Sequence, residues 1–242
     1  MRIESTRCFA FMVVGLGVLT ACNRGYKPYD TTDSSLNLTS DEPFRSDFRV
    51  DKSKLQSTGS NLFFPLQPGM VSTFRDGDEL LTITVLEETR TVDGVVTRVV
   101  EEREETPAGL KEISRNFFAC DPQSGDVYYF GEEVDLYRNG NLVGHEGVWK
   151  SGENGARFGL MMPGVLSLGD RFYQERAPGV AMDRCEVVGV AEQIHTPVGS
   201  FKNAVKMFET TPLERGSSAK IYAPEIGLVK DGGMELVSRK SP

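Results

Sequence analysis

The chain has 242 residues, 39% of them apolar and 9% aromatic, with a formal net charge of −8. That is enough apolar material for one domain of moderate size with its own core. The acidic balance is a poor electrostatic match for nucleic acid or anionic lipid headgroups.

The first 22 residues read as a signal. Arg2 and Arg7, diluted by Glu4, precede a run from Phe9 to Leu19 that is apolar or Gly throughout. A membrane-spanning helix needs ~20 apolar residues, so this run has the length of a secretory core instead. Small Thr20 and Ala21 come next, then Cys22. The tetrapeptide Leu19-Thr20-Ala21-Cys22 resembles the lipobox of bacterial lipoproteins. The resemblance implies removal of residues 1–21 and a diacylglycerol thioether on Cys22, with palmitate-type chains holding the mature protein to a membrane. Each buried methylene contributes ~0.8 kcal/mol, and two or more chains hold where one does not. The alternative is an ordinary secretory signal with a Cys at its cleavage site. Asn23, rather than Asp, follows Cys22. In the family pattern this favours the periplasmic face of an outer membrane, where the organism has two membranes. The signal removes Arg2, Arg7 and Glu4, a net +1, so the mature chain is more acidic than the whole.

Residues 22–60 read as a lipid-anchored flexible linker. Tyr29 to Ser40 and Lys52 to Ser60 are polar and aperiodic, and few side chains there can offset the entropy of ordering. Phe44, Phe48 and Val50 are exceptions that suit docking on the body or on a partner.

The body, 61–242, is expected to be all-β. Leu81, Ile83 and Val85 alternate with Thr82 and Thr84. Val187, Val188 and Val190 sit in one β-branched run, and Val205, Met207 and Phe208 in another. Turn chemistry punctuates these runs at Asp93-Gly94, Ser124-Gly125, Asn139-Gly140 and Asp231-Gly232-Gly233, where Asn, Asp or Gly supplies the positive φ of tight hairpins. The pattern predicts ten to twelve strands in a single antiparallel meander. So many strands accumulate twist, giving a curved sheet or partly closed barrel. Ala156 to Ser167, with Met161-Met162-Pro163-Gly164, breaks the pattern and reads as a long loop with room for a helical turn.

Cys8 belongs to the signal and Cys22 to the anchor, leaving Cys120 and Cys185. Export permits a disulfide, and closing so long a loop contributes ~4 kcal/mol in the chain-entropy model. Two buried free thiols are the alternative, because spacing alone does not bring their Cα atoms together.

No metal or cofactor motif stands out. His145 and His195 lack further ligands at zinc spacing, and Asp121 to Asp126 lacks the alternation of a calcium loop. There is no nucleophile elbow, Walker loop, zincin or dinucleotide fingerprint. Glu132, Glu133 and Asp135 offer carboxylates for a hydrolase, but such residues, like Glu101-Glu102-Arg103-Glu104-Glu105, also suit a solvated strand edge.

Several phrases carry a second resemblance. Asn61-Leu62-Phe63-Phe64-Pro65-Leu66-Gln67-Pro68-Gly69, Asp126-Val127-Tyr128-Tyr129-Phe130-Gly131-Glu132, Thr196-Pro197-Val198-Gly199-Ser200-Phe201 and Tyr222-Ala223-Pro224-Glu225-Ile226-Gly227-Leu228-Val229 are similar to phrases of a group of uncharacterised bacterial secreted proteins and lipoproteins. Val71 to Phe74 and Glu225 depart from the group's pattern. The group has no assigned activity and so implies no catalytic residues. Its ending also looks like that of curved-sheet proteins that mount lipids or lipoproteins.

The resulting expectation is a non-enzymatic, lipid-anchored envelope protein whose β-domain binds an apolar ligand or a protein partner on its concave face. A structural module of an envelope complex and a carboxylate-dependent hydrolase are the alternatives. The shape of the sheet discriminates between them: an acyl-sized cavity favours ligand carriage, and a filled core favours a passive module.

Overall fold

The computed structural model describes residues 43–242; the signal, Cys22 and the first part of the linker lie outside the described residues. The strands are β1 Val71–Asp76, β2 Glu79–Val92, β3 Val95–Thr106, β4 Gly109–Cys120, β5 Val127–Arg138, β6 Asn141–Gly144, β7 Trp149–Lys150, β8 Arg157–Met162, β9 Arg171–Tyr173, β10 Glu175–Arg176, β11 Arg184–Thr196, β12 Gly199–Thr210, β13 Ser218–Ala223, β14 Gly227–Asp231 and β15 Met234–Lys240. All pair antiparallel in one sheet of order β10-β8-β5-β4-β3-β2-β1-β15-β14-β13-β12-β11-β9, with β6 and β7 beside β5. The expected all-β meander is therefore present, as a nearly closed barrel. Closure comes from β9 and β10, one run broken only at Gln174: β9 pairs with β11 while β10 pairs with β8, so this run joins the two ends of the sheet.

The hairpin chemistry holds where the sequence placed it. Asp93 and Gly94 both adopt positive φ between β2 and β3, as do Asn139 and Gly140 between β5 and β6. The strand count of fifteen exceeds the expected range because β6, β7, β9 and β10 span only two to four residues each, too few to show a period. The expected loop at Ala156 to Ser167 is partly a strand. β8 pairs with β5, and Gly159 to Met162 are all buried. A strand covered on both faces has no alternation to read, which is why it resembled irregular chain.

The linker boundary also moves. Residues 43–60 were expected to belong to the flexible segment, yet they lie along the barrel. Arg45 bridges Phe172 and Gln56 bridges Cys120. Leu55 is buried, and Phe48 and Val50 pack on the core. Phe44 sits edge-on to Tyr173 with the guanidiniums of Arg171 and Arg184 over its ring at 4.1 and 4.6 Å. A few aromatic contacts suffice to order a polar segment when the surface beneath it is preformed.

Cys120 and Cys185 are free thiols, both buried, which corrects the disulfide option. Cys120 ends β4, where Gln56 pairs with it and Gly59 packs on its sulfur. Cys185 lies between Phe172 and Glu209 in the opposite wall. Burial pushes the Cys120 thiol up to about 11 and Cys185 well above its ordinary value, so both remain protonated and inert.

Candidate functional site

Alternation fixes which side chains enter the barrel. Across β2, β3, β4 and β5 the register aligns three rows on the inner face: Leu81, Glu104, Glu112 and Leu136; then Ile83, Glu102, Ser114 and Val134; then Val85, Val100, Asn116 and Glu132. The opposite wall supplies Val187, Met207, Lys220 and Asp231 in one row, and Cys185, Glu209 and Ser218 in the next. The inside is thus apolar toward one end and crossed by a seam of carboxylates.

The outer face carries charge of both signs. Arg115 bonds Glu101 at 3.2 Å and Asp135 at 3.1 Å, and Lys150 bonds Glu133 at 2.7 Å. A barrel that faced lipid would show an apolar outer band. The run Glu101 to Glu105 is therefore not a uniformly solvated edge, since Glu102 and Glu104 turn inward. Sequence reasoning missed this seam. Its available signal was polar residues at every second position, Glu112, Ser114 and Asn116, leading directly into the apolar run Phe117 to Cys120.

Lys220 is the cation of the seam, 3.1 Å from both Glu209 and Asp231. Burial alone would lower its proton affinity, but the Asp231 and Glu209 carboxylates hold it well above its usual range. Gln174, at the strand junction, donates to Glu209 at 2.8 Å. The backbone N–H of Asp183 donates to Glu175 at 2.7 Å. Carboxyls far exceed cations, and burial keeps several protonated. It pushes Glu102 up to about 8 and Glu112 to about 7, the latter with help from Glu104. Asp183 rises to about 7 through burial and then Glu209. Glu132 and Glu175 are raised well above the carboxylate range, again by burial first. Glu132 Oε1 and Glu175 Oε2 are buried without a hydrogen-bond partner.

A cavity of about 80 Å³ lies beside this seam, walled by Phe64, Leu66, Met70, Phe74, Ile83, Val85, Val100, Phe118, Tyr222 and Leu228, with Glu102 and Lys220 also in its lining. Glu102 is half-buried and borders this cavity. Phe64 to Met70 form a plug over the barrel end. Asn61 fixes the plug: its carboxamide oxygen accepts from the N–H groups of Phe63 and Phe64, and its Nδ2 donates to the carbonyls of Gly125 and Pro163.

The motif phrases meet here. Glu225 donates its N–H to the Leu62 carbonyl, and Gly227 lies against Pro65, where a Cβ would stand 3.3 Å from the ring. Gly131 lets β7 approach, since a Cβ there would stand 2.7 Å from the Trp149 carbonyl. Tyr129 donates to Asn116 inside the barrel and stacks on Phe118. Tyr128, pointing the other way, meets Phe48. Tyr129 is thus packed inside the barrel, whereas Tyr128 packs on its outer side beneath Phe48.

Other candidates are dispersed. Glu132 faces inward while Glu133 and Asp135 face outward in ion pairs, so these neighbours do not form a carboxylate pair. His145 Nδ1 lies 2.9 Å from both the Val134 carbonyl and Asp135. His195 bonds Ser200 within its own hairpin. Among the described residues, no group of three or more His, Cys, Asp or Glu is arranged to hold a metal ion.

No family model and no curated protein matches the chain. A solved structure is similar: a chain from Parabacteroides distasonis ATCC 8503, described as a "putative lipoprotein", at 14% identity, 76% coverage of this chain, 100% of that chain and a TM-score of 0.34. An overlay this loose transfers neither topology nor role. What the site can do therefore rests on its own geometry: hold a small apolar group against Phe64, Met70 and Phe118, and store protons on buried carboxyls beside a fixed ammonium.

Proposed function

We propose that the chain is a lipid-anchored envelope protein, held by acylated Cys22, whose barrel is a non-enzymatic module binding a small apolar ligand beneath the Phe64–Met70 plug. The supporting observation is the cavity itself, a largely apolar space in the barrel, with walls from both halves and the Phe64–Met70 segment along one side. Its 80 Å³ is below the ~300 Å³ of drug-sized sites. A full acyl chain therefore enters only if Phe64 and Leu66 withdraw.

The test is a titration of detergent-free protein with an environment-sensitive apolar dye, paired with organic extraction of the purified chain. Binding that is lost when Met70→Trp fills the cavity supports the reading. No dye binding and no extractable apolar compound would sink it.

The largely filled interior also favours the second reading, a structural module of an envelope complex. Crosslinking in intact cells that returns a constant protein neighbour, with no ligand in the barrel, would favour that reading.

A further inference from the structure

Val165 and Leu168 are 82% and 65% exposed, the two most exposed large apolar side chains among the described residues. Both sit in the 163–170 connection between β8 and β9. Such exposure is costly in water and marks contact surfaces when it is concentrated.

The connection is held firmly. Gly164 donates its N–H to Asp126 at 2.8 Å, and a Cβ on Gly164 would stand 1.9 Å from the Ser124 carbonyl. Ser167 donates its N–H to Asp170 at 2.7 Å, and Leu166 packs on the core. Val165 and Leu168 are thus presented by a braced turn. Leu62, 47% exposed, belongs to the same rim, because Asn61 beside it donates to the Pro163 carbonyl.

The path of the chain selects the occupant. Arg45 pairs in parallel with Phe172, one residue past the first residue of β9. From Arg45 back to Pro43 the described chain therefore points toward the end of the barrel where the 163–170 connection lies. Only about 20 residues separate Pro43 from Cys22, a reach of at most ~70 Å even when fully extended.

We infer that Leu62, Val165 and Leu168 form a membrane-docking rim that seats this end of the barrel on the bilayer holding the anchor. This rests on the reading of Cys22 as acylated. A contact too weak to hold a free protein operates here because attachment through Cys22 makes it intramolecular. The plug and its cavity lie at the same end, so a ligand could pass between bilayer and barrel without crossing water.

The test reconstitutes the full lipidated chain in phosphatidylcholine vesicles with or without brominated acyl chains. Leu168→Trp reports the rim, and Leu213→Trp reports the β12–β13 connection at the far end. The native Trp149, buried in the barrel, supplies a common background. Bromolipid should quench the Leu168→Trp emission several-fold more than the Leu213→Trp emission. Equal quenching in a chain that floats with vesicles overturns the docking while leaving the anchor standing. If the parent and Cys22→Ser chains float equally poorly, the anchor fails and the docking falls with it.

Discussion

Glu112 offers a quantitative test of the buried carboxylate seam. It lies opposite Glu104 on β3, whose charge is held by Lys111 at 2.7 Å. Its own Oε1 has no hydrogen-bond partner, and the residue is 7% exposed. Burial, then the Glu104 charge, raises its carboxyl from 4.5 to about 7. The folded protein therefore keeps a proton that the unfolded chain releases. Stability from this group is full below pH 4.5, declines as pH rises toward 7, and is lost above it. At 1.36 kcal/mol per pH unit, the shift corresponds to about 3 kcal/mol. Glu112→Gln keeps the shape and removes the titration. At pH 8 the variant should be more stable than the parent by up to about 3 kcal/mol, or roughly 6–12 °C in Tm for a domain of this size. At pH 4.5 the two should nearly coincide. Urea denaturation of both proteins from pH 4.5 to 8 reads this directly. Parallel curves across the range would refute the assignment of a protonated Glu112.

Other substitutions probe separate parts of the same structure. Lys220→Met strands Glu209 and Asp231 as buried charges and should destabilise by about 3–5 kcal/mol, measured by denaturant midpoint; a neutral result would mean that the pair is hydrated. Asn61→Ala removes the clamp on the plug and should cost about 2–4 kcal/mol, at roughly 1 kcal/mol per hydrogen bond lost, while making the cavity more accessible to an apolar dye. Gly131→Ala forces β7 away from β5 and should cost about 1–3 kcal/mol, with a change in Trp149 fluorescence. Reductant should leave the Tm unchanged, and a thiol reagent should label Cys120 and Cys185 only on unfolding; a drop in Tm with reductant would restore the disulfide.

The sequence by itself determined the all-β class, the hairpins at Asp93-Gly94 and Asn139-Gly140, and the buried face of β2 through the alternation of Leu81, Ile83 and Val85. These are local properties: positive φ demands particular residues, and alternation reports one buried face. The same locality explains the errors. β8 carries apolar residues on both faces, so it has no period. Residues 43–60 are polar and order only because the barrel offers them Tyr128, Tyr173 and Cys120 to lie against. Glu102, Glu104 and Glu112 look like solvent-facing charge until the sheet curls and places them inside. Which face of a charged strand is the interior is decided by closure, and closure depends on Gln174 and the two short strands flanking it. No spacing in the chain records that junction, because it forms between residues distant in sequence.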